Sequence, residues 1–369
     1  MNIKNFQTFF DCGFSKIRAG TFNIDNNNEA FYAESEFFTD QSNLELKIQK
    51  IVTSLEKDSN EYIDNISLML DSSKMFSVGI SLSKKLDGYK LKQANIQFLV
   101  QEAKQQILKH YTNHNIVHII INNYKIDGTD YSYLPDEIKC DFISLDIFFI
   151  CLPTDLVFYL KNTFSKSNIL VDQIICSSYV KSINYKENLN LTGYVSFIDI
   201  GFDKTSIISY LNDKFLSLNT LPIGGNHITK DISKVLEIDL VKAEKIKLSF
   251  DQNYKFLDDD NIPVDTLQKI ILARTEEILE LCAKFRSANS LWLDRSKIVL
   301  MGDGSKILGN NYKHKISFPD DLDFLEETLE DICHSGFKFG TGLNKQEVVV
   351  VPKKQMKQGF FEKLFHLFR

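Results

Sequence analysis

Glycine is scarce in this chain, 16 of 369 residues, roughly 4% where about 7% is usual. Places where glycines cluster therefore carry more information than they ordinarily would. There is no uninterrupted apolar run of the roughly 18–20 residues that a membrane-spanning helix needs. The opening residues, Met1-Asn2-Ile3-Lys4-Asn5-Phe6, lack a basic stretch followed by an apolar one, so no export signal is expected. The six cysteines (Cys12, Cys140, Cys151, Cys176, Cys282, Cys333) include no C-x-x-C pair and read as reduced thiols, most of them buried. A hydrophobic content of 43% with 25% charged residues excludes wholesale disorder. The length suits two or three domains.

The net charge of −6 hides an asymmetry. Residues 353–369 hold five cations (Lys353, Lys354, Lys357, Lys363, Arg369) and one anion, Glu362. That leaves 38 basic and 48 acidic side chains in residues 1–352, a charge of −10. An acidic body argues against general nucleic-acid binding, and the basic end needs its own explanation.

Two distant segments resemble each other. Phe9-Phe10-Asp11-Cys12-Gly13-Phe14-Ser15-Lys16-Ile17 and Phe197-Ile198-Asp199-Ile200-Gly201-Phe202-Asp203-Lys204-Thr205 share D-x-G-F-x-K at an offset of 188 residues. Each reads as strand, tight glycine turn, strand, and the repetition points to a duplicated architecture. Such a turn suits an anion, because glycine lets backbone N–H groups come close to a phosphate. An Asp at the strand end can hold a hydrated Mg²⁺, and a Lys can neutralise phosphate oxygens. A chance match of two ordinary hairpins is the plainer alternative. A third glycine site follows a buried-strand pattern: Lys297-Ile298-Val299-Leu300-Met301 runs into Gly302-Asp303-Gly304-Ser305. This is neither a Walker loop nor G-x-G-x-x-G.

Pro222-Ile223-Gly224-Gly225-Asn226 reads as a strand end, a Gly-Gly turn and a helix start. Helices are expected over 93–111, 240–249 and 264–289, and a buried strand over 116–121. Alternation of strands and helices sets the class as α/β. Asp258-Asp259-Asp260 reads as a solvated loop. His110, His114 and His118 are four apart, but Asn113-His114-Asn115 is turn-like, so no metal face is expected there.

The last eleven residues carry a different signal. At about 100° per residue, Phe360, Phe361, Leu364, Phe365, Leu367 and Phe368 fall within one arc of about 160°, with Glu362, Lys363, His366 and Arg369 opposite. Eleven residues make a helix of roughly 16 Å, too short to span a bilayer but suited to its interface. Lys353, Lys354 and Lys357 add about 1 kcal/mol each near anionic lipid. Docking on the protein's own body or on a partner is the alternative.

Three glycine loops in this order, two of them in repeated halves, resemble the actin-like ATPase superfamily and, within it, the FtsA family of bacterial cell-division proteins. That family's first phosphate loop, D-I-G-S-S-K-I, is similar to Asp11 through Ile17. Its P-x-G-G-N-x-x-T-x-D-I stretch matches Pro222 to Ile232. Its A-E-x-x-K helix, which reaches adenine and ribose, matches Ala243, Glu244 and Lys247, and its adenosine loop corresponds to Leu300 to Ser305. The second phosphate loop departs from the family's D-I-G-G-G-T: Phe202 and Asp203 replace two glycines, and Lys204 stands at the Thr position. Asp303 interrupts the adenosine loop. A carboxylate near a γ-phosphate repels it unless Lys204 or Mg²⁺ offsets the charge.

The resemblance implies an actin-like (ribonuclease H-like) duplicated fold of two lobes, with a small α+β domain, 1C, inserted in place of actin subdomain 1B. Subdomain 1A would comprise 1–76 and 153–184, 1C 77–152, 2A 185–229 and 293–350, and 2B 230–292, followed by a linker, 351–358, and an amphipathic membrane-targeting helix, 359–369. It further implies ATP held by Asp11, Gly13, Ser15, Lys16, Asp199, Gly201, Lys204, Thr205, Gly224, Gly225, Asn226, Glu244, Lys247, Gly302, Gly304 and Ser305. Mg²⁺ would sit, through water, on Asp11 and Asp199, with Asp203 a further candidate for positioning metal or water, and little or no hydrolysis is expected. Lys284 and Arg286 are candidate anchors for the acidic C-terminal peptide of the tubulin-like protein FtsZ. The implied role is a polymerising adaptor that tethers FtsZ to the cytoplasmic face of the inner membrane at the septum and meets later division proteins there. Two alternatives are a PilM-like pilus-assembly scaffold and a small-molecule kinase of the same superfold, with Asp203 as its carboxylate.

Overall fold

The computed structural model describes residues 6–26, 29–37, 43–135, 138–249, 256–257, 262–288, 296–306, 321–342 and 347–348. The first lobe opens with β1 (Phe6–Cys12), β2 (Lys16–Asn23), β3 (Ala30–Glu36), α1 (Leu44–Ser59) and β4 (Asn65–Leu70). The inserted unit follows: β5 (Phe76–Lys85), α2 (Gln93–His110), β6 (His114–Ile126), β7 (Thr129–Tyr131) and β8 (Phe142–Pro153). The chain returns to the first lobe through α3 (Thr154–Lys166), β9 (Leu170–Cys176) and α4 (Ser177–Asn188). The second lobe holds β10 (Tyr194–Ile200), β11 (Thr205–Leu211), β12 (Lys214–Leu221), α5 (Gly225–Leu236), α6 (Leu240–Leu248), β13 (Phe256–Leu257), β14 (Ile262–Pro263) and α7 (Val264–Ala288). β15 (Ser296–Met301) and β16 (Asp321–Phe324) complete its sheet, and α8 (Leu329–Gly340) and β17 (Glu347–Val348) follow in the chain.

The duplication seen in the sequence is a duplication of sheets. Their strand orders, β3-β2-β1-β4-β9 and β12-β11-β10-β15-β16, are the same path. In each, the first hairpin is antiparallel and the third and fourth strands run parallel beside it. Register agrees too: Phe6 faces Asn23 and Cys12 faces Ile17, while Tyr194 faces Leu211 and Ile200 faces Thr205, each 188 residues on. β10 is buried along its whole length, which explains its near-continuous apolar run.

Two helices join the halves. α4 leaves β9 and lies against α8, and one apolar core runs from Phe9, Phe22 and Met69 through Tyr179 on α4 to Phe197 and Tyr210 of the second sheet. The sequence reading placed 293–350 with the second lobe, but α8 packs on β1 and β2 of the first. The reason is aromatic: Phe337 stacks on Phe22 at 4.6 Å and meets Phe9 edge-on at 6.2 Å. Thr328 and Asp331 cap the start of α8 reciprocally.

The inserted sheet, ordered β17-β6-β8-β5, packs α2 over its own core of Leu99, Ile107, Ile121 and Ile147. Its β6–β7 hairpin turns on Asp127-Gly128, both at positive φ, as a tight turn requires. β5 also reaches the second lobe, where Ser77 Oγ accepts from the Leu218 N–H at 2.8 Å. The Asn122 side chain pairs in both directions with the Phe215 backbone on β12. The insertion therefore bridges the two lobes. Among the described residues, no helix is long and apolar enough to cross a membrane. The candidate membrane residues at 360–369 and the acidic run 258–260 lie outside the described residues.

Truncating the aromatic that fastens α8 tests this arrangement. Phe337→Ala is expected to lower the unfolding free energy by about 3–5 kcal/mol, read from urea denaturation.

Candidate functional site: the interlobe cleft

The two D-x-G turns close in the same way. The Gly13 N–H donates to the Lys16 carbonyl at 3.0 Å, and the Gly201 N–H to the Lys204 carbonyl at 2.8 Å. Each turn follows a strand whose last residue but one is a buried carboxylate, Asp11 or Asp199. The third loop leaves β15 at Gly302, whose φ of 91° suits glycine, and Ser305 Oγ donates back to the Gly302 carbonyl at 2.7 Å. At Gly224 a Cβ would stand 2.5 Å from the Gly201 carbonyl oxygen, so only glycine lets α5 approach the second turn. The opening amides of α5 are used there: Gly225 N–H donates to the Gly201 carbonyl at 2.9 Å and Asn226 N–H to that of Phe202 at 2.7 Å.

Charge fills the space between these loops. Asp11 accepts from Ser177 Oγ at 2.6 Å and faces Arg18 at 3.6 Å. Arg18 also pairs with Asp303, reaching from β2 of the first lobe to the third loop of the second. Lys181 on α4 pairs with Asp199 at 3.0 Å and with Glu327 at 3.1 Å. Glu327 in turn accepts from Tyr185 at 2.9 Å and from the Gly302 N–H at 2.6 Å. Lys204 crosses the other way to Asp71, just after β4, at 2.8 Å.

These partnerships set the protonation states. Burial pushes Asp11 above the ordinary carboxylate range, and Arg18, Lys181 and Ser177 offset that only in part. Burial also raises Glu327, against the pull of Lys181. For Asp71, burial is outweighed by Lys204, so its pKa is lowered. For Asp303, burial is likewise outweighed, by Arg18. Burial disfavours the charge on Lys181 and Lys204, yet Asp199 and Asp71 respectively win and hold both ammonium groups charged.

Two cavities open here. The inner one, about 70 Å³, lies between the two D-x-G turns, with Phe14 and Phe202 in its wall. The outer one, about 90 Å³, is lined from the first lobe by Ser15, Lys16 and Glu36, and from the second by Phe202, Val241 and Leu248. Of the residues nominated from sequence, Asp11, Gly13, Asp199, Gly201, Lys204 and Gly302 line the inner cavity. Ser15, Lys16, Gly225, Glu244, Lys247 and Gly304 line the outer one. Lys16 pairs with Glu36 at 2.5 Å, within its own lobe. Glu244 and Lys247, expected to read adenine and ribose, are bonded to each other at 2.6 Å, and Lys247 also donates to Thr229 at 2.8 Å. Burial outweighs Glu244 and lowers the Lys247 pKa. Thr205 donates to the Ile223 carbonyl at 2.7 Å, Asp203 accepts from Asn226 at 2.8 Å, and Ser305 folds back onto Gly302.

Lys284 sits exposed near the end of α7; the Arg286 side chain lies outside the described residues. Among the described residues no group of His, Cys, Asp and Glu is arranged for a metal ion. His118 accepts from the Cys176 N–H at 2.8 Å and so belongs to the packing.

Arg18, Asp71, Lys181 and Glu327 were absent from the sequence reading. Arg18 carried a usable signal: once the hairpin is registered about its glycine turn, it stands directly opposite Asp11. The other three come from segments with no local motif.

The outer cavity, with Phe202, Val241 and Leu248 in its wall, fits a flat apolar-faced group such as a nucleobase. The inner one fits phosphate conditionally. Its cations are already paired, so phosphate must displace carboxylates or arrive with a divalent cation.

A duplicated pair of five-stranded sheets joined by crossing helices, with paired glycine turns on the cleft between them, is the actin-like fold. Solved structures agree. The chain superposes on a structure titled "PilM-PilN type IV pilus biogenesis complex" with a TM-score of 0.61 at 12% identity, over 88% of this chain and 89% of that one. It also superposes on the ethanolamine utilization protein EutJ of Carboxydothermus hydrogenoformans, with a TM-score of 0.50 at 9% identity, over 90% of each chain. In sequence the chain is FtsA-like. The family model "Cell division protein FtsA" matches residues 196–293. The chain is 23% identical to the cell division protein FtsA of Buchnera aphidicola subsp. Acyrthosiphon pisum over 348 residues, 83% of this chain and 82% of that one. It is 19% identical to that of Agrobacterium fabrum over 295 residues, 75% of this chain and 66% of that one.

Asp11 gives a test with a defined sign. Between 3.8 and its raised pKa the folded protein keeps a proton that the unfolded chain has lost, so this group's contribution to stability falls as pH rises through that window. Asp11→Asn, which can still accept from Ser177, is expected to be more stable than the parent at pH 7. The advantage should shrink as pH falls towards 3.8, measured as urea midpoints along a pH series.

Proposed function

We propose that this protein is an FtsA-like cell-division adaptor: an actin-like body that binds a nucleotide between its lobes, self-associates, and links FtsZ to the cytoplasmic face of the inner membrane at the septum. The observation that carries the reading is the sequence likeness to FtsA proteins along most of the chain, whose family-model match spans the second turn, the Gly-Gly helix start and the A-E-x-x-K helix. ATP with Mg²⁺ is the proposed ligand. Its base would enter the outer cavity, and its phosphates would meet the turns at Gly13 and Gly201 beside Asp11 and Asp199. With Asp203 and Lys204 in place of the usual small residues, the ligand is proposed to act on conformation and assembly, with little turnover.

The C-terminal residues supply attachment in this reading. Phe360, Phe361, Leu364, Phe365, Leu367 and Phe368 would enter the lipid interface, with Lys363 and Arg369 near the headgroups. One such helix binds weakly, and polymerisation multiplies it by avidity. Residues 230–292 would take the FtsZ C-terminal peptide, with Lys284 and Arg286 as anchors, and membrane proteins that join division later are further proposed partners. A pilus-assembly role is supported by a fold likeness at 12% identity. A kinase reading needs a free carboxylate in the cleft, and Asp203 is held by Asn226.

Co-sedimentation with anionic liposomes, with and without MgATP and the FtsZ C-terminal peptide, tests the reading. The full chain is expected to pellet with liposomes and carry the peptide with it, and a chain lacking 358–369 to stay in the supernatant. Equal sedimentation of both chains would remove the membrane role.

A further inference from the structure

Two of the four loop positions that depart from the family pattern, Lys204 and Asp303, are each one end of an ion pair that crosses the cleft. Lys204 of the second lobe reaches Asp71 of the first, and Asp303 of the second meets Arg18 of the first. The two cations are almost fully withdrawn from solvent, Lys204 being 5% and Arg18 7% exposed, and their partners Asp71 and Asp303 are partly exposed, with side chains at 12% and 26%. Lys181, on the helix between the lobes, adds a third link to Asp199. We infer that the cleft is latched by the protein's own charges: Lys204–Asp71 and Arg18–Asp303 hold the lobes closed without a nucleotide, where a bound polyphosphate would otherwise supply the charge that draws them together.

Three points support this. The cations facing the inner cavity, Arg18, Lys181 and Lys204, all have carboxylate partners across or beside it. Fully ionised, the cavity carries five acids against these three bases, so its local charge is −2 and it presents no surplus for an incoming anion. The corresponding lysine of the first turn, Lys16, pairs with Glu36 inside its own lobe and spans nothing. The two halves share one turn geometry, and only the second half uses it to cross. Entry of a polyphosphate is therefore an exchange, in which phosphate oxygens replace Asp71 and Asp303 on the cations, and the freed carboxylates must find water or a divalent cation.

Loss of Lys204 takes from Asp71 the cation it faces, and loss of Asp303 breaks the Arg18 pair across the cleft, so the closed form is penalised and opening is favoured. Hydrogen exchange read by mass spectrometry on the nucleotide-free full chain tests the latch. Peptides covering 177–181, 199–206 and 300–306 should exchange slowly in the parent and at least about tenfold faster in Lys204→Thr/Asp303→Asn. Peptides of the inserted sheet over 142–153 should match the parent. Lys204→Arg/Asp303→Glu keeps both charges and should stay slow. Equal rates in parent and double variant, or a parent that already exchanges fast, overturn the latch. Should the double variant not fold, Asp303→Asn alone carries the test, since Asp303 is the most exposed of the four. The latch concerns the cleft that the proposed function assigns to nucleotide, and one further arm separates the two. MgATP slows the same peptides of the double variant if the cleft takes a nucleotide, and leaves them unchanged if it does not, whichever way the nucleotide-free comparison falls.

Discussion

Two strand-end carboxylates, Asp11 and Asp199, are brought by duplication to one buried cleft, and much of the surrounding polar structure follows from the need to neutralise them. Removing an ionised carboxylate from water costs several kcal/mol unless cations and hydrogen bonds compensate. Arg18 and Ser177 serve the first, and Lys181 serves the second. Arg18 then carries a further acid, Asp303, and Lys181 another, Glu327. The result is a connected network in which few charges can be altered alone.

The covalent plan explains why this network lies between lobes. α4 and α8 share one apolar core with both sheets, and the inserted sheet fastens to β12 through Ser77 and Asn122. Opening is thereby confined to the face that carries the turns. On that face the contacts are mainly ionic and polar, so exchange with a charged ligand is possible there and unfavourable elsewhere. An apolar interface would offer no such exchange, because phosphate cannot replace Phe197 or Phe337.

Much of the frame was legible in the sequence, for local reasons. Repeated D-x-G-F-x-K gave both hairpins, and the offset of 188 residues holds through every paired residue of the two ladders. Gly224-Gly225 marked the start of α5 because no other residue fits beside the Gly201 carbonyl. The helices at 93, 240 and 264 began where the apolar periodicity did. The charge network was largely illegible, because its members come from segments whose meeting depends on the whole fold. Asp71 lies just beyond a strand, Lys181 is within a helix, and Glu327 precedes α8 by two residues. Nothing in the sequence around them marks a site. α8 was misplaced for the same reason: its affinity is for Phe9 and Phe22, more than 300 positions earlier in the chain.

The departures at Lys204 and Asp303 take on a different meaning once their partners are known. As isolated substitutions they add one cation to the second loop and one anion to the third. In the folded protein each finds an opposite charge on the other lobe, so the pair leaves net charge unchanged while it raises the cost of separating the lobes. Buried ion pairs contribute little to stability against a well-packed apolar alternative, but they penalise any state in which one partner is stranded. That asymmetry suits a closure device, since it specifies one arrangement of the lobes while leaving it reversible by a ligand that can satisfy both sides. The same physics sets the condition on such a ligand: it must bring enough negative charge to hold Arg18 and Lys204, and enough positive charge to answer Asp71 and Asp303.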